Sequence, residues 1–214
     1  MNDARKPGLI QRYTAGQRSN HWVIAITFVL LALSGLALFH PAFYWLTNLF
    51  GGGGWTRILH PYIGVLMFIC FFVFAIRMWG HNSLNKQDRQ WLSQFGDVIN
   101  NRAEKLPECG RYNAGQKVMF YAMVILMICL LITGVVIWRA WFQDYFSVGT
   151  IRLGSLLHAV FAFLLICAII VHVYAAIWVK GTVRAMTRGT VSQGWAWKHH
   201  RAWFRQVRKS AAQK

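Results

Sequence analysis

Four of the eight histidines sit where an imidazole is costly to keep. His21, His60, His158 and His172 lie in or at the edge of long apolar runs, and an ionisable side chain in a membrane span marks a functional site by default. His158 and His172 share one run, fourteen residues apart. On a helix that spacing is a rise of about 21 Å and a rotation about 40° short of four turns, so both face one side at two depths. His60 follows Arg57 by three residues, level with His158, and His21 follows Arg18 by three, level with His172. Each level offers two imidazoles from different helices. A single such histidine is explained by a hydrogen bond to a neighbouring helix. Two pairs at two depths fit two six-coordinate haems better. Zinc takes four ligands, usually with Cys or carboxylate help, and no Asp or Glu lies in any of the runs. The four cysteines form no C-x-x-C pair and no C-x-x-C-H, so haem here would be held without a covalent link.

Glycines suit a slot for a macrocycle. Gly35 lies fourteen residues after His21 on the same helical face, and Gly64 lies one turn after His60. Ordinary small-residue helix packing explains each of them equally well. Arg57 and Arg152 are placed to meet propionates of an outer haem, and Arg18 those of an inner one. His40 and His81 end their runs and are expected to be solvated at the membrane boundary, replacement of an inner ligand by His81 being the alternative. His199 and His200, in a basic tail, are expected at the surface.

The elements that must position these residues are four spans, at about 22–39, 58–79, 118–138 and 153–179. Crossing about 30 Å of hydrocarbon takes about 20 helical residues, so the first two are marginal and the last two clear. The first run is read as a retained span, because a signal peptide has a shorter apolar core and a small-residue cleavage motif. The composition agrees. Hydrophobic residues make up 56% of the 214, charged residues only 14%, and there are eleven Trp, the residue that collects at membrane–water interfaces. An apolar content this high excludes disorder.

The net charge of +17 could suggest a nucleic-acid binder. Sorted by loop, it is topology instead. Twenty of the 23 Lys and Arg precede span one, lie between spans two and three, or follow span four; only Arg57, Arg139 and Arg152 fall on the other side. The positive-inside rule puts both termini and the middle loop in the cytoplasm. The fold expected is therefore all-α: an integral membrane four-helix bundle, one transmembrane domain over 1–214, with a basic cytoplasmic tail over 180–214. Trp91, Phe95, Val98 and Ile99 recur at helical spacing, as do Trp197, His200, Trp203, Phe204 and Val207. Both sets suit amphipathic helices on anionic lipid headgroups or docked on a partner subunit. Gly51–Gly54 reads as a flexible outer loop. No internal repeat and no additional soluble domain is expected.

With these residues in place, the chain resembles the gamma, or cytochrome b, subunit of membrane-bound respiratory formate dehydrogenase over nearly its whole length. The resemblance rests on His21-Trp22, on Arg57-Ile58-Leu59-His60-Pro61 and on Tyr112-Asn113-Ala114-Gly115-Gln116-Lys117. It continues through Ser155-Leu156-Leu157-His158, His172 to Trp178-Val179-Lys180-Gly181, and Trp197-Lys198-His199-His200. The resemblance implies two haem b groups, with axial ligands at His60 and His158 outside and at His21 and His172 inside. It implies a catalytic alpha subunit that oxidises formate, an iron–sulfur beta subunit that passes electrons to the outer haem, and a bacterial inner-membrane location. It also implies a quinone, menaquinone or ubiquinone, reduced at the cytoplasmic face beside His172, at Asn113, Gly115 and Gln116. From the residues alone, Asn113 and Gln116 read equally as a helix cap. The Gly51–Gly54 run departs from the family pattern and bears on partner contacts in the outer loop.

Three other readings compete. Cytochrome b subunits of nickel–iron hydrogenases share the general plan. A histidine-relay transporter would need a polar pathway, which the spans lack, and a plain membrane anchor would need no haem.

Overall fold

The computed structural model describes residues 8–100, 102 and 105–213; Arg5, Lys6 and Lys214 of the basic set lie outside them. In chain order come strand β1 (Leu9–Gln11), helix α1 (Ala15–Phe39), a 3-10 helix (Pro41–Phe50), α2 (Gly53–Met78), a 3-10 turn (Trp79–His81), α3 (Lys86–Ser93), α4 (Phe95–Ile99) and α5 (Ala114–Ile137). Then follow α6 (Arg139–Phe142), a 3-10 turn (Gln143–Tyr145), α7 (Val148–Trp178), α8 (Thr182–Arg188), strand β2 (Thr190–Ser192), α9 (Gln193–His199) and α10 (Arg201–Ala212). The class is all-α, and α1, α2, α5 and α7 are each long and apolar enough to cross a membrane.

The four long helices begin several residues before the apolar runs do, because their first turns carry polar residues or glycine. Thr14 and Gln17 satisfy each other's backbone N–H groups at 2.9 and 3.3 Å, a capping box that starts α1. Asn113 and Gln116 do the same for α5 at 3.0 and 2.9 Å. Spans one and two, marginal by their apolar runs, become helices of 25 and 26 residues. The glycine run that reads as flexible is an ordered turn. Gly51 and Gly52 take φ of 84° and 96°, the left-handed region that favours glycine, and a Cβ on Gly53 would run into the Tyr44 hydroxyl.

The chain divides into two compact units. One, Ser19–Ile76 with Ala122–Val171, holds the apolar lengths of all four long helices. Within it Asn20 Nδ2 donates to the Cys70 carbonyl at 3.0 Å, joining α1 to α2. Tyr62 on α2 meets Trp138 edge-to-face, with ring centroids 5.2 Å apart. Ile26, Ile69, Ile125 and Phe163 remain exposed, as expected of helices whose outer faces meet lipid.

The other unit is assembled from the described parts of Met1–Arg18, Arg77–Tyr121 and His172–Lys214. β1 and β2 pair antiparallel, Ile10 opposite Val191. The Arg12 guanidinium, only 3% exposed, lies among the rings of Trp203 (4.4 Å), Tyr112 (5.4 Å), Trp195 (5.5 Å) and Tyr13 (5.8 Å). Cation–π attraction is strongest in such a desolvated setting. The two amphipathic segments form helices at the expected positions, but Trp91, Trp203 and Phe204 are buried inside this unit while Phe95, Ile99 and Trp197 are exposed. The amino-terminal segment, the middle loop and the tail fold together in this unit.

Contrary to the expectation of no internal repeat, a seven-residue motif occurs twice. Arg12-Tyr13-Thr14-Ala15-Gly16-Gln17-Arg18 reappears as Arg111-Tyr112-Asn113-Ala114-Gly115-Gln116-Lys117. The copies face each other in the polar unit: Arg12 donates to the Arg111 carbonyl, and Arg111 donates back to the Arg12 carbonyl at 2.7 Å. Ser34-Gly35 reappears in the same register as Thr133-Gly134, and His60 reappears as His158 one position out of register. So few shared residues vanish against a uniformly apolar background.

Candidate functional site

His60 and His158 come together in the four-helix unit. Their ring centroids are 6.4 Å apart with planes at 70°. Ser34 Oγ lies 2.7 Å from His60 Nδ1, and Thr133 Oγ1 lies 2.9 Å from His158 Nδ1. Each Nδ1 is thereby engaged, leaving Nε2 as the nitrogen available to a metal. An imidazole nitrogen sits about 2 Å from a bound metal ion, so two rings sharing one ion stand about 6 Å apart, centre to centre. The pair fits that separation. Among the described residues no group of three or more His, Cys, Asp or Glu could hold a metal. A centre with two protein ligands matches haem iron, whose remaining ligands come from the macrocycle.

The glycines resolve into different roles. A Cβ on Gly35 would lie 3.4 Å from His60 Cε1, and a Cβ on Gly134 would lie 3.4 Å from His158 Cε1. Each glycine seats the edge of one imidazole. Gly64 meets only Leu31, at 3.9 Å, and touches neither ring. Ser34, Thr133 and Gly134 were missing from the sequence reading. Their signal is a hydroxyl residue followed by glycine, once in α1 and once in α5. Arg57 and Arg152 are exposed, whereas Arg18 Nη1 donates to the Tyr13 carbonyl at 3.2 Å.

The inner candidates divide between the units. His21 belongs to the four-helix unit, half-buried and edge-to-face with Trp22. His172, exposed on α7, belongs to the polar unit.

In the polar unit, Asn113 and Gln116 form the capping box that opens α5. The cap uses both amide oxygens and leaves both NH2 groups as donors, the type of group that a quinone carbonyl accepts from. Gly115 is there for space: a Cβ would lie 3.1 Å from Trp91 Cη2. Nearby is a cavity of about 340 Å³ whose walls include His81, Asp88, Trp91, Cys109, Tyr112 and Lys117. Lys117 Nζ is paired with Asp88 Oδ2 at 2.7 Å and donates to the Ser83 carbonyl at 3.0 Å. Burial above all, with Asp88 adding and Lys117 opposing, pushes the Cys109 thiol up to about 11.

The histidines outside the two pairs also find places. His40 caps the 3-10 helix by accepting from Ala42 N at 3.2 Å. His200, expected at the surface, is 1% exposed. Its Nδ1–H donates to the Gly110 carbonyl at 2.9 Å. Burial first, then the Arg12 charge, hold it down to about 3. The tail folds back on its own chain, so position in the sequence misleads here. His199 is half-buried.

Comparison with known proteins adds to this geometry. A family model described as prokaryotic cytochrome b561 matches residues 12–189. The chain is 45% identical over 205 residues to the formate dehydrogenase, cytochrome b556(fdo) subunit of Escherichia coli K12, covering 96% of each. It is 41% identical over 209 residues to the nitrate-inducible formate dehydrogenase cytochrome b556(Fdn) subunit of the same strain, covering 98% of this chain and 96% of the relative. The formate dehydrogenase cytochrome b556 subunit of Haemophilus influenzae is 38% identical, with 96% of this chain and 84% of the relative covered.

Proposed function

The chain belongs to the prokaryotic cytochrome b561 family, and we propose that it is the membrane cytochrome b subunit of a formate dehydrogenase. In this reading it carries electrons from an iron–sulfur partner outside the membrane to a quinone on the cytoplasmic side of a bacterial inner membrane. A separate catalytic subunit oxidises formate. The carrying observation is the His60–His158 pair, 6.4 Å apart on two helices, with each Nδ1 held by a hydroxyl.

Haem b, when bound, supplies a one-electron iron couple. His60 and His158 would hold the outer group, and His21 with His172 the inner one. Gly35 and Gly134 keep the outer imidazoles seated. Asn113 and Gln116, their oxygens bound into the cap, would turn their NH2 groups to a quinone carbonyl. Gly115 brings Trp91 against that turn.

Orientation follows from charge. Twenty of the 23 basic residues belong to the amino-terminal segment, the middle loop and the tail, which fold together and so share a side. Facing them to the cytoplasm satisfies the positive-inside rule. An electron moved inward then works against the membrane potential, about 2.3 kcal/mol per 100 mV. Formate oxidation would supply that energy.

The test is the purified complex. Two haems per copy of this chain and a bis-imidazole spectrum are expected, with His172→Ala removing one haem and abolishing quinone reduction. A chain that purifies without haem overturns the reading. A molybdenum or tungsten partner is expected; a nickel–iron partner would assign the subunit to a hydrogenase.

A further inference from the structure

Ser34 and Thr133 each have one hydrogen to give. Ser34 Oγ donates to the Leu30 carbonyl at 2.7 Å, with the Leu31 carbonyl at 3.3 Å. Thr133 Oγ1 donates to the Cys129 carbonyl at 2.7 Å, with the Leu130 carbonyl at 3.3 Å. Carbonyl oxygens only accept, and giving each hydroxyl hydrogen to them makes the usual back-bond of Ser and Thr inside a helix. The contacts to His60 and His158 then run the other way: Nδ1–H donates and the hydroxyl oxygen accepts. A neutral imidazole carries one N–H, so both Nε2 atoms keep their lone pairs.

We infer that Ser34 and Thr133 are equivalent positioning residues, fixing His60 and His158 as Nδ1–H tautomers and strengthening both as ligands of one iron. The inference rests on the haem reading above. The second partner of a metal-bound histidine orients the ring, fixes its tautomer and raises its basicity. Here that partner is itself polarised, because the backbone carbonyl, the hydroxyl and the imidazole form a hydrogen-bonded chain whose members strengthen one another. A more electron-rich imidazole stabilises the ferric state and lowers the reduction potential of the iron it holds. The iron couple exchanges one electron, and no proton leaves either ring.

Two features separate this role from helix packing. The hydroxyl residue is followed each time by the glycine that seats the same ring, Gly35 for His60 and Gly134 for His158. The whole arrangement, back-bond included, also occurs twice, once between α1 and α2 and once between α5 and α7. A hydroxyl needed only for its back-bond has no reason to meet a histidine twice.

The test uses the whole complex carrying Ser34→Ala, Thr133→Val, both together, and the exchanges Ser34→Thr and Thr133→Ser. The readouts are haem content and the two haem potentials, followed by redox titration of the visible spectrum. Each hydroxyl loss is expected to raise the outer potential, so that the ferrous-to-ferric ratio at a fixed potential rises several-fold. Affinity for the outer haem should fall about tenfold. The two single shifts should be similar and should sum in the double variant, the exchanges should restore the native potential, and the inner potential should not move. Thr133→Val keeps the side-chain shape, so assembly is preserved. Unchanged outer potentials in both single variants, with both haems present, overturn the inference and leave the haem reading standing. A wild-type complex without haem, or a His60→Ala variant that keeps a bis-imidazole outer haem, overturns the haem reading and this inference with it.

Discussion

Tyr13 and Tyr112 meet hydroxyl to hydroxyl at 3.2 Å, each following the arginine that opens one copy of the repeated motif. The contact joins equivalent positions of two helix hairpins, α1–α2 and α5–α7. The same equivalence puts His60 and His158 together, so each hairpin would give one ligand to the proposed outer site. His21 and His172 break the repeat: the counterpart of His21 is Phe120, and in the one-residue-shifted register of His60 and His158 the counterpart of His172 is Phe74. One candidate site is thus shared by both halves and the other is particular to each. That asymmetry suits the proposed role, in which electrons would enter at one end and leave to a different acceptor at the other.

Equal contribution by the two hairpins makes a specific demand on the outer site. His60→Ala and His158→Ala should each remove one haem of two and leave the other spectrally intact. Haem content per chain would fall to about half in both variants, as measured by a pyridine haemochrome assay. Loss of both haems in either variant would contradict separate sites.

The ring-seating glycines should tolerate a methyl group and nothing larger. A Cβ at Gly35 or Gly134 stands 3.4 Å from an imidazole carbon, which is ordinary contact, so Gly134→Ala should keep the outer haem. Gly134→Val adds branches that push His158 off its position; overpacking of this kind costs about 1–3 kcal/mol. Loss of the outer absorption band in Gly134→Val but not in Gly134→Ala is the expected result.

How much of this was legible follows the physics of each signal. The last two spans are plain because long runs without charge are rare outside membranes; the first two are marginal because polar first turns hide the beginnings of their helices. His60 and His158 stood out as ionisable groups in apolar helices. Ser34 and Thr133 did not, since a hydroxyl in a span usually bonds its own backbone, and these do that as well. The buried faces of α3 and α10 looked interfacial because helical spacing reports an apolar face and not what covers it. His200 followed the same logic: a histidine in a basic tail gives no sign that Trp195 and Arg12 will enclose it.

Burial of neutral His200 ties the polar unit to pH. Its folded value is held near 3, by burial first, while an unfolded histidine titrates near 6.5. Between those values the unfolded chain binds the extra proton, so stability is complete above about pH 6.5 and declines as the pH falls toward 3. From pH 6.5 to 5 the loss should reach about 2 kcal/mol. Thermal melting across that interval should show the decline in the wild type, and a flatter curve in His200→Asn.

The Lys117–Asp88 pair, with both side chains less than a tenth exposed, should behave as a buried ion pair. Removing one partner strands the other charge and typically costs about 3–5 kcal/mol. Lys117→Met should therefore lower the melting temperature sharply. Lys117→Met with Asp88→Leu should recover much of the loss, since no charge is then left unpaired. Equal destabilisation by the single and double variants would locate the effect in packing instead.

The duplicated motif supplies its own control for the quinone proposal. Asn113 caps α5 by accepting from Gln116 N at 2.9 Å, and Thr14, at the equivalent position, caps α1 by accepting from Gln17 N. Threonine thus caps the equivalent turn, but it has no NH2 group to offer a carbonyl. Asn113→Thr should keep helix content, melting temperature and both haems, and should slow quinone reduction while haem reduction by formate stays at its native rate. Gln116→Glu extends the logic, because the carboxylate keeps the capping oxygen and loses the amide donor. If quinone reduction survives in both variants, Asn113 and Gln116 serve only as the helix cap, and the quinone must be bound by other residues.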